Sequence, residues 1–462
     1  VATHKSPAYR CSECGQAYPK WVGQCRHCQS WGSVEETQSP SMVLRSTTVT
    51  SPITPALPIA EVNREQAQAR STGVGEFDRV LGGGIVPGAV VLLAGEPGVG
   101  KSTLLLDVAA QAARQARQHG WGPVLYVTGE ESASQVRLRA ERINALDDDL
   151  LLAAETDLGA LLGHVEAVNP SLLVVDSVQT IASSQVDGSA GGVTQVRAVS
   201  AALIAVAKER AIPVLLVGHV TKDGAIAGPR VLEHLVDVVC QCEGERHGRL
   251  RLLRAVKNRF GPTDEVGCFD LNERGIEGLA DPSGLFLSAA RSQVPGTCAT
   301  VTLEGRRPMP VEIQALVAPT HAGSPRRTTS GMDHARVAMT LAVLGARLRV
   351  DTSSSDVYVS TVGGARAVEP ATDVAVAIAV VSAARNLPTA PHLVAFGEVG
   401  LTGEVRATSG IERRLIEASR LGFTQAIIPA HGQSEIKKVP GIEVITVNNL
   451  AHAIDAALNT SD

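Results

Sequence analysis

Eight residues, Gly95-Glu96-Pro97-Gly98-Val99-Gly100-Lys101-Ser102, fit G-x-x-x-x-G-K-[ST], the spacing of a phosphate-binding loop. The glycines let the backbone wrap closely around an anion. Successive N–H groups and the following helix N-terminus then face the phosphates. In such a loop Lys101 reaches the β- and γ-phosphates of ATP, and the Ser102 hydroxyl ligates Mg²⁺. Thr103 completes the nucleotide-binding stretch. The bland alternative is a glycine-rich turn with no ligand.

Further polar residues end apolar runs. Leu172–Val175 leads into Asp176, the arrangement of a Walker B acid that holds Mg²⁺ directly or through water. The segment from Tyr126 to Glu131 places two acids after a strand, and either could orient or deprotonate an attacking water. Glu130 is preferred to Glu131, since both could instead only cap the helix that starts at Ser132. His219 ends the run after Asp176, where a polar group can sense the γ-phosphate and pass its loss to the next loop. That loop, 221–230, is small and basic. Lys222 and Arg230 are its candidate DNA contacts, and 187–192 is a second loop expected to move.

Cys11-x-x-Cys14 and Cys25-x-x-Cys28 form two knuckles ten residues apart. This spacing can present four thiolates tetrahedrally to one Zn²⁺. So short a module has too little apolar surface for its own core, so the metal would hold the fold. Iron in a rubredoxin-like site and a pair of redox motifs are the alternatives. Lys20, Trp21 and Arg26 could form a contact surface or simply be solvated. Cys240, Cys242, Cys268 and Cys298 read as small buried apolar groups.

These groups need elements to hold them. Ala89–Ala94 reads as a buried strand and Thr103–Ala110 as the start of a helix. Strands follow at 124–128, 172–175 and 214–217, with helical patterns at about 133–145 and 193–210. That alternation predicts a parallel sheet with right-handed crossovers. Runs 235–242 and 249–256 would extend it. The rhythm breaks near Asp281-Pro282-Ser283-Gly284. A second α/β region follows, with strands at about 299–304 and 310–317 and a helix at about 332–347. Residues 33–58 are rich in Ser, Thr and Pro, the composition of a linker.

At 462 residues with 44% hydrophobic and 19% charged composition, two or three domains are expected. The net charge of −5 excludes a globally basic nucleic-acid binder, so any DNA contact must be local or line an oligomer. No run of eighteen apolar residues and no leader pattern is seen. A soluble, cytoplasmic protein without membrane contact is expected, and disulfides are not.

The order of these motifs, followed by Lys257-Asn258-Arg259-Phe260-Gly261, resembles the RadA (Sms) family of bacterial DNA-repair ATPases. The resemblance implies an α/β fold in three parts: a zinc module at 1–32, a RecA-like ATPase core with a parallel sheet at 59–280, and a Lon-protease-like domain at 281–462. It implies a DNA-stimulated, helicase-like ATP hydrolase in homologous recombination, using ATP, Mg²⁺ and Zn²⁺. Translocation on single-stranded DNA or branch migration would be its work. Single-stranded or branched DNA, the RecA recombinase and a homo-hexameric ring are its implied partners. Lys257 and Arg259 would reach a neighbouring subunit's nucleotide.

Residues 285–462 resemble the proteolytic domain of Lon-type proteases, which use a Ser–Lys dyad. Asp373 stands at the Ser position, and the Lys segment reads Ile411-Glu412-Arg413-Arg414. Arginine is no neutral base. A scaffold without peptidase activity is expected, with Asp373 in a salt bridge. Arg326, Arg327, Arg347, Arg349 and Arg366 are left as candidate DNA contacts or solvated groups.

Overall fold

The computed structural model describes residues 9–18, 20–31, 33–36, 58–61, 67–219, 232–244, 248–287, 294–320, 324–431 and 438–458. The chain forms two compact units, 1–63 and 64–462.

In the first unit, strands β1 (Tyr9–Cys11), β2 (Ala17–Tyr18) and β3 (Val34–Glu36) form an antiparallel sheet in the order β2-β1-β3. Its apolar interior amounts to Cys11, Cys25 and Val34, with Tyr9, Tyr18 and Val22 around them. So small a cluster cannot offset the ordering entropy of the segment, and a metal cross-link would supply what is missing. The pairing Cys11↔Val34 carries the module past residue 32, into a stretch that composition alone reads as linker.

In the second unit, helix α1 (Gly75–Leu81) precedes strand β4 (Val90–Gly95), helix α2 (Lys101–His119), β5 (Val124–Thr128), α3 (Ala133–Arg142), β6 (Leu150–Ala154), α4 (Leu158–Val168), β7 (Leu172–Asp176), α5 (Val193–Arg210) and β8 (Val214–His219). Then come β9 (Val238–Glu243), β10 (Leu250–Asn258), β11 (Val266–Asn272) and β12 (Gly275–Gly278). The sheet order is β12-β11-β10-β9-β4-β8-β7-β5-β6. From β9 to β6 every pairing is parallel, and β9 to β12 continues as an antiparallel meander.

Alternation along the central strands builds a core on each face. Val91, Leu93, Val174 and Leu215 face one way, toward Leu104, Leu105 and Val108 of α2. Val90, Leu92, Val175 and Leu216 face the other, toward Leu161 of α4 and Val199 and Leu203 of α5. This is the parallel, doubly wound sheet that the alternating pattern predicts, and it is consistent with the RecA-like core that the resemblance implies. The loop at 187–192, expected to move, follows a segment laced to buried Gln195. That side chain bonds Ser183 N (2.9 Å), Ser183 O (3.0 Å) and Val186 O (2.5 Å).

The remaining chain runs through α6 (Ser283–Phe286), β13 (Thr297–Glu304), β14 (Arg307–Pro319), β15 (Arg327–Ser330), α7 (His334–Leu348), β16 (Ser355–Thr361), α8 (Asp373–Arg385), β17 (Leu393–Ala395), β18 (Glu398–Val399), β19 (Val405–Arg406), α9 (Ile411–Arg420), β20 (Gln425–Pro429), β21 (Glu443–Val447) and α10 (Leu450–Leu458). Seven of these strands form a mixed sheet, β15-β16-β14-β13-β17-β20-β21. Val374–Val381 of α8 is buried throughout, on the sheet face shared with α7 and α10. Arg307 joins this domain to the ATPase core. It pairs with buried Glu76 of α1 and donates to the carbonyls of Val266 (3.0 Å), Leu279 (2.9 Å) and Ala280 (2.9 Å).

Candidate nucleotide and metal sites

Four parallel strands deliver their carboxyl ends to one edge of the sheet. Gly95 pairs with His219, and Thr128 with Asp176, so the polar groups that follow these strands converge. Ligands of open α/β sheets bind in such a crevice. Gly98 (φ +79°) and Gly100 (φ +101°) hold left-handed conformations that other residues resist. No side chain caps α2 at Gly100, which leaves its first N–H groups directed at an incoming anion.

Lys101 is buried, and its Nζ donates to the carbonyls of Gly95 and Glu96, each at 2.9 Å. Burial lowers its pKa. Asp176 is also buried, and loss of solvation raises its pKa. Its Oδ2 accepts from the Tyr126 hydroxyl at 2.6 Å, whereas Oδ1 is buried without a partner among the described residues. A free, desolvated carboxylate oxygen near the Ser102 hydroxyl fits the donor set of a Mg²⁺ ion beside phosphates.

The two acids after β5 part company. Glu131 pairs with Arg139 of α3. Ser132 caps that helix in a capping box with Gln135. Glu130 turns inward, and its Oε1 accepts from Ser177 Oγ (2.5 Å) and His219 Nε2 (2.9 Å). The His219 hydrogen bond, then that of Ser177, pulls its pKa down to about 2. Ser177, Tyr126 and Arg251 are site residues that motif reading passes over. Arg251, from β10, braces the phosphate loop by donating to the Val99 carbonyl at 3.2 Å.

Lys257 and Arg259 lie elsewhere. Asn258 pairs with Val238 at the start of β9, while Gly95 meets Cys242 near its end. At roughly 3.3 Å per residue this sets them more than about 10 Å from the loop of their own chain. Lys257 donates to the carbonyls of Glu233 (2.7 Å) and Val236 (2.8 Å), and Arg259 pairs with Asp237 (3.1 Å). Lys222 and Arg230, with the rest of the loop 221–230, lie outside the described residues.

In the small module all four cysteine sulfurs lie within 4.8 Å of one another. Cys11–Cys28 is 3.6 Å and Cys14–Cys25 is 3.5 Å. Tetrahedral zinc bonds of about 2.3 Å to sulfur place sulfurs about 3.8 Å apart, so the quartet fits one Zn²⁺. The Cys28 backbone N–H and then the Tyr18 hydroxyl push the Cys25 thiol down to about 5, toward the thiolate that a metal requires. Cys240, Cys242, Cys268 and Cys298 are all buried.

In the C-terminal domain, Asp373 accepts two bonds from the Arg336 guanidinium, Nε at 3.1 Å, and one from Val399 N at 3.1 Å. Its salt-bridge partner is thus Arg336, not the arginines of the 411–414 segment. Arg414 is fully buried and forks onto Glu369 at 2.6 and 2.9 Å. Residues 281–462 hold only two lysines, Lys437 and Lys438, neither within the 411–414 segment. Arg326, Arg347, Arg349 and Arg366 are exposed, while Arg327 is tied to the Thr352 carbonyl at 2.6 Å.

Three family models match the chain: an AAA domain over residues 67–225, the Lon protease (S16) C-terminal proteolytic domain over 341–460, and a rubredoxin metal binding domain over 9–36. The DNA repair protein RadA of Mycolicibacterium smegmatis is 51% identical over 455 residues, 96% of each chain. That of Mycobacterium tuberculosis is 51% identical over 458 residues, 98% of this chain and 94% of the relative. The Bacillus subtilis protein of the same name is 44% identical over 453 residues, 97% and 98% of the two. Among the described residues, no helix is long and apolar enough to cross a membrane.

Proposed function

The chain belongs to the RadA family of DNA repair proteins, and from that premise we propose that it is a DNA-stimulated ATP hydrolase of recombination and repair. The observation that carries the proposal is the convergence of the phosphate loop, the free Asp176 oxygen and the Glu130–His219 pair on one sheet edge. When ATP arrives, Lys101 exchanges the Gly95 and Glu96 carbonyls for the β- and γ-phosphate oxygens. Ser102 and Asp176 would hold Mg²⁺, which neutralises phosphate charge as the bond to the γ-phosphoryl group breaks. Glu130, ionised at neutral pH, orients the attacking water once it leaves His219 and Ser177.

His219 opens the segment that carries Lys222 and Arg230. A change in its contact with Glu130 would therefore alter the grip of that loop on DNA. Lys257 and Arg259, too far to act in their own chain, suit a role in trans at the neighbour's phosphates within a hexameric ring. The proposed work is translocation on single-stranded DNA or branch migration of recombination intermediates, in the cytoplasm and beside the RecA recombinase. The Asp373–Arg336 pair and the arginines at 413 and 414 argue against Lon-type proteolysis.

The test is ATP hydrolysis by the full chain with and without single-stranded DNA, beside Lys101→Ala. Several-fold stimulation that disappears in the variant is expected. Hydrolysis indifferent to DNA would sink the motor reading and leave a nucleotide-regulated switch.

A further inference from the structure

The chain has three tryptophans, and two of them are on the metal module, side by side and in solvent. Trp21 is 62% exposed and Trp31 is 79% exposed. A Cβ added at Gly23 would lie 3.7 Å from the Trp21 ring and 3.9 Å from the Trp31 ring, so both indoles border one point. Trp121 is the contrast. Its ring carries the Arg70 guanidinium at 4.6 Å and stacks on His119 at 4.7 Å.

The backbone that carries Trp31 is ordered. Trp31 bridges Gln24 across the second cysteine knuckle, where Cys25 N donates to Ser30 O at 2.9 Å and Gln24 Nε2 to Gln29 O at 2.8 Å. A ring on an ordered backbone loses less entropy when a flat partner lands on it than one on an unordered segment. Lys20 directly precedes Trp21, Arg26 and His27 lie between the two tryptophans in the chain, all three are exposed, and the chain has no carboxylate between Glu13 and Glu35. The face therefore suits an anionic partner with flat apolar groups. A folded protein's surface lacks that repeating combination, and unpaired nucleic acid has it in every nucleotide.

We propose that Trp21 and Trp31 form a stacking platform for unpaired bases, with Lys20 and Arg26 at the flanking phosphates. The proposal rests on the DNA reading given above and assigns it a contact outside the ATPase core. Four thiolates around a divalent metal leave a centre near −2, which weakens the pull of the two cations on phosphate without removing their direct contacts. Stacking, not charge, then supplies most of the affinity at this face.

The experiment uses the full-length, metal-loaded chain and a fluorescein-labelled oligo(dT) 20-mer, read by anisotropy. Base–aromatic stacking predicts that Trp21→Ala and Trp31→Ala each weaken binding about 5- to 150-fold and together at least about 30-fold, and that Phe at both positions restores most of it. The ratio of wild type to double variant should stay within about threefold between 50 and 200 mM salt, since stacking releases no counterions. Oligonucleotides carrying 5-iodouracil should cross-link to Trp21 or Trp31 on irradiation. Metal content and DNA-free ATP turnover should be unchanged, which separates lost stacking from a collapsed module. Binding by the double variant within twofold of wild type, with DNA-stimulated hydrolysis intact, would overturn the platform and leave the DNA-stimulated hydrolase standing. No binding and no stimulation in the wild type would overturn both.

Discussion

Replacing His219 by Ala should make hydrolysis less dependent on DNA. Glu130 is held away from water chemistry by two hydrogen bonds to one oxygen, from His219 Nε2 at 2.9 Å and Ser177 Oγ at 2.5 Å. Together they take its pKa from 4.5 to about 2. In a group sealed from solvent that change would correspond to about 3 kcal/mol. The Glu130 side chain is 34% exposed, and screening leaves about 1 kcal/mol for the His219 contact. Losing it shifts Glu130 toward its free, water-orienting position by about fivefold.

DNA-free phosphate release by His219→Ala should therefore rise by up to about fivefold, and the added stimulation by single-stranded DNA should shrink. Glu130→Gln should lose about 10²- to 10⁴-fold with or without DNA. The pH dependence follows from the direction of the shift. Because the folded pKa is depressed, the contact is fully present above 4.5 and fades as pH falls toward 2. His219→Ala should move the acid limb of Glu130-dependent turnover up toward 4.5. DNA-free turnover that falls to the Glu130→Gln level would refute the reasoning, because His219 would then assist the reaction instead of restraining it.

Cys25→Ser should release the metal, seen with a chromophoric zinc chelator, and remove hydrogen-exchange protection from residues 9–36 while 90–95 keeps its own. Arg307→Ala leaves buried Glu76, which also accepts from Cys268 N at 2.8 Å, with only the half-exposed Arg79 at 3.4 Å as its cation, and should cost about 3 kcal/mol in urea unfolding, the low end for a broken buried pair. Peptide release from casein should be absent, and Asp373→Ser should not create it, since a serine there gains no neutral amine.

The chemistry carried by contiguous residues was legible in the sequence. Gly95–Ser102 sits between a strand and a helix as the motif requires, and Asp176 ends its strand. What escaped was chemistry assembled by register. Ser177 and Tyr126 reach Glu130 and Asp176 across 47 and 50 residues of chain, through the β5–β7 pairing. Arg251 meets Val99 across 152. No local pattern encodes such distances. Strand β6 escaped for another reason. Leu150–Ala154 is a short apolar run of Leu and Ala, with no β-branched residue to tell strand from helix, and as an edge strand it is only half covered. Residues 34–36 read as linker because pairing with Tyr9–Cys11, not composition, makes them a strand.

A Lon-like fold without its dyad raises the question of what holds its former catalytic positions in place. In this chain they serve stability. Asp373 is neutralised by Arg336, and Arg414, with no exposed surface, is matched by Glu369 and two carbonyls. Removing either partner would strand a buried charge, so these ion pairs fix the domain's geometry. That geometry reaches the nucleotide through one strand. On β10, Arg251 supports the phosphate loop, and three residues on, Arg254 pairs with Glu304 of β13 at 2.5 Å. Further along, Lys257 of the same strand and Arg259 just past its end stand away from the phosphate loop, held by the Glu233 and Val236 carbonyls and by Asp237. A shift of the C-terminal domain would thus be felt at the phosphate loop and at Lys257 and Arg259 through the same backbone. A Lon-like fold braced by these ion pairs would serve that coupling, because the pairs carry a displacement of one element to the next.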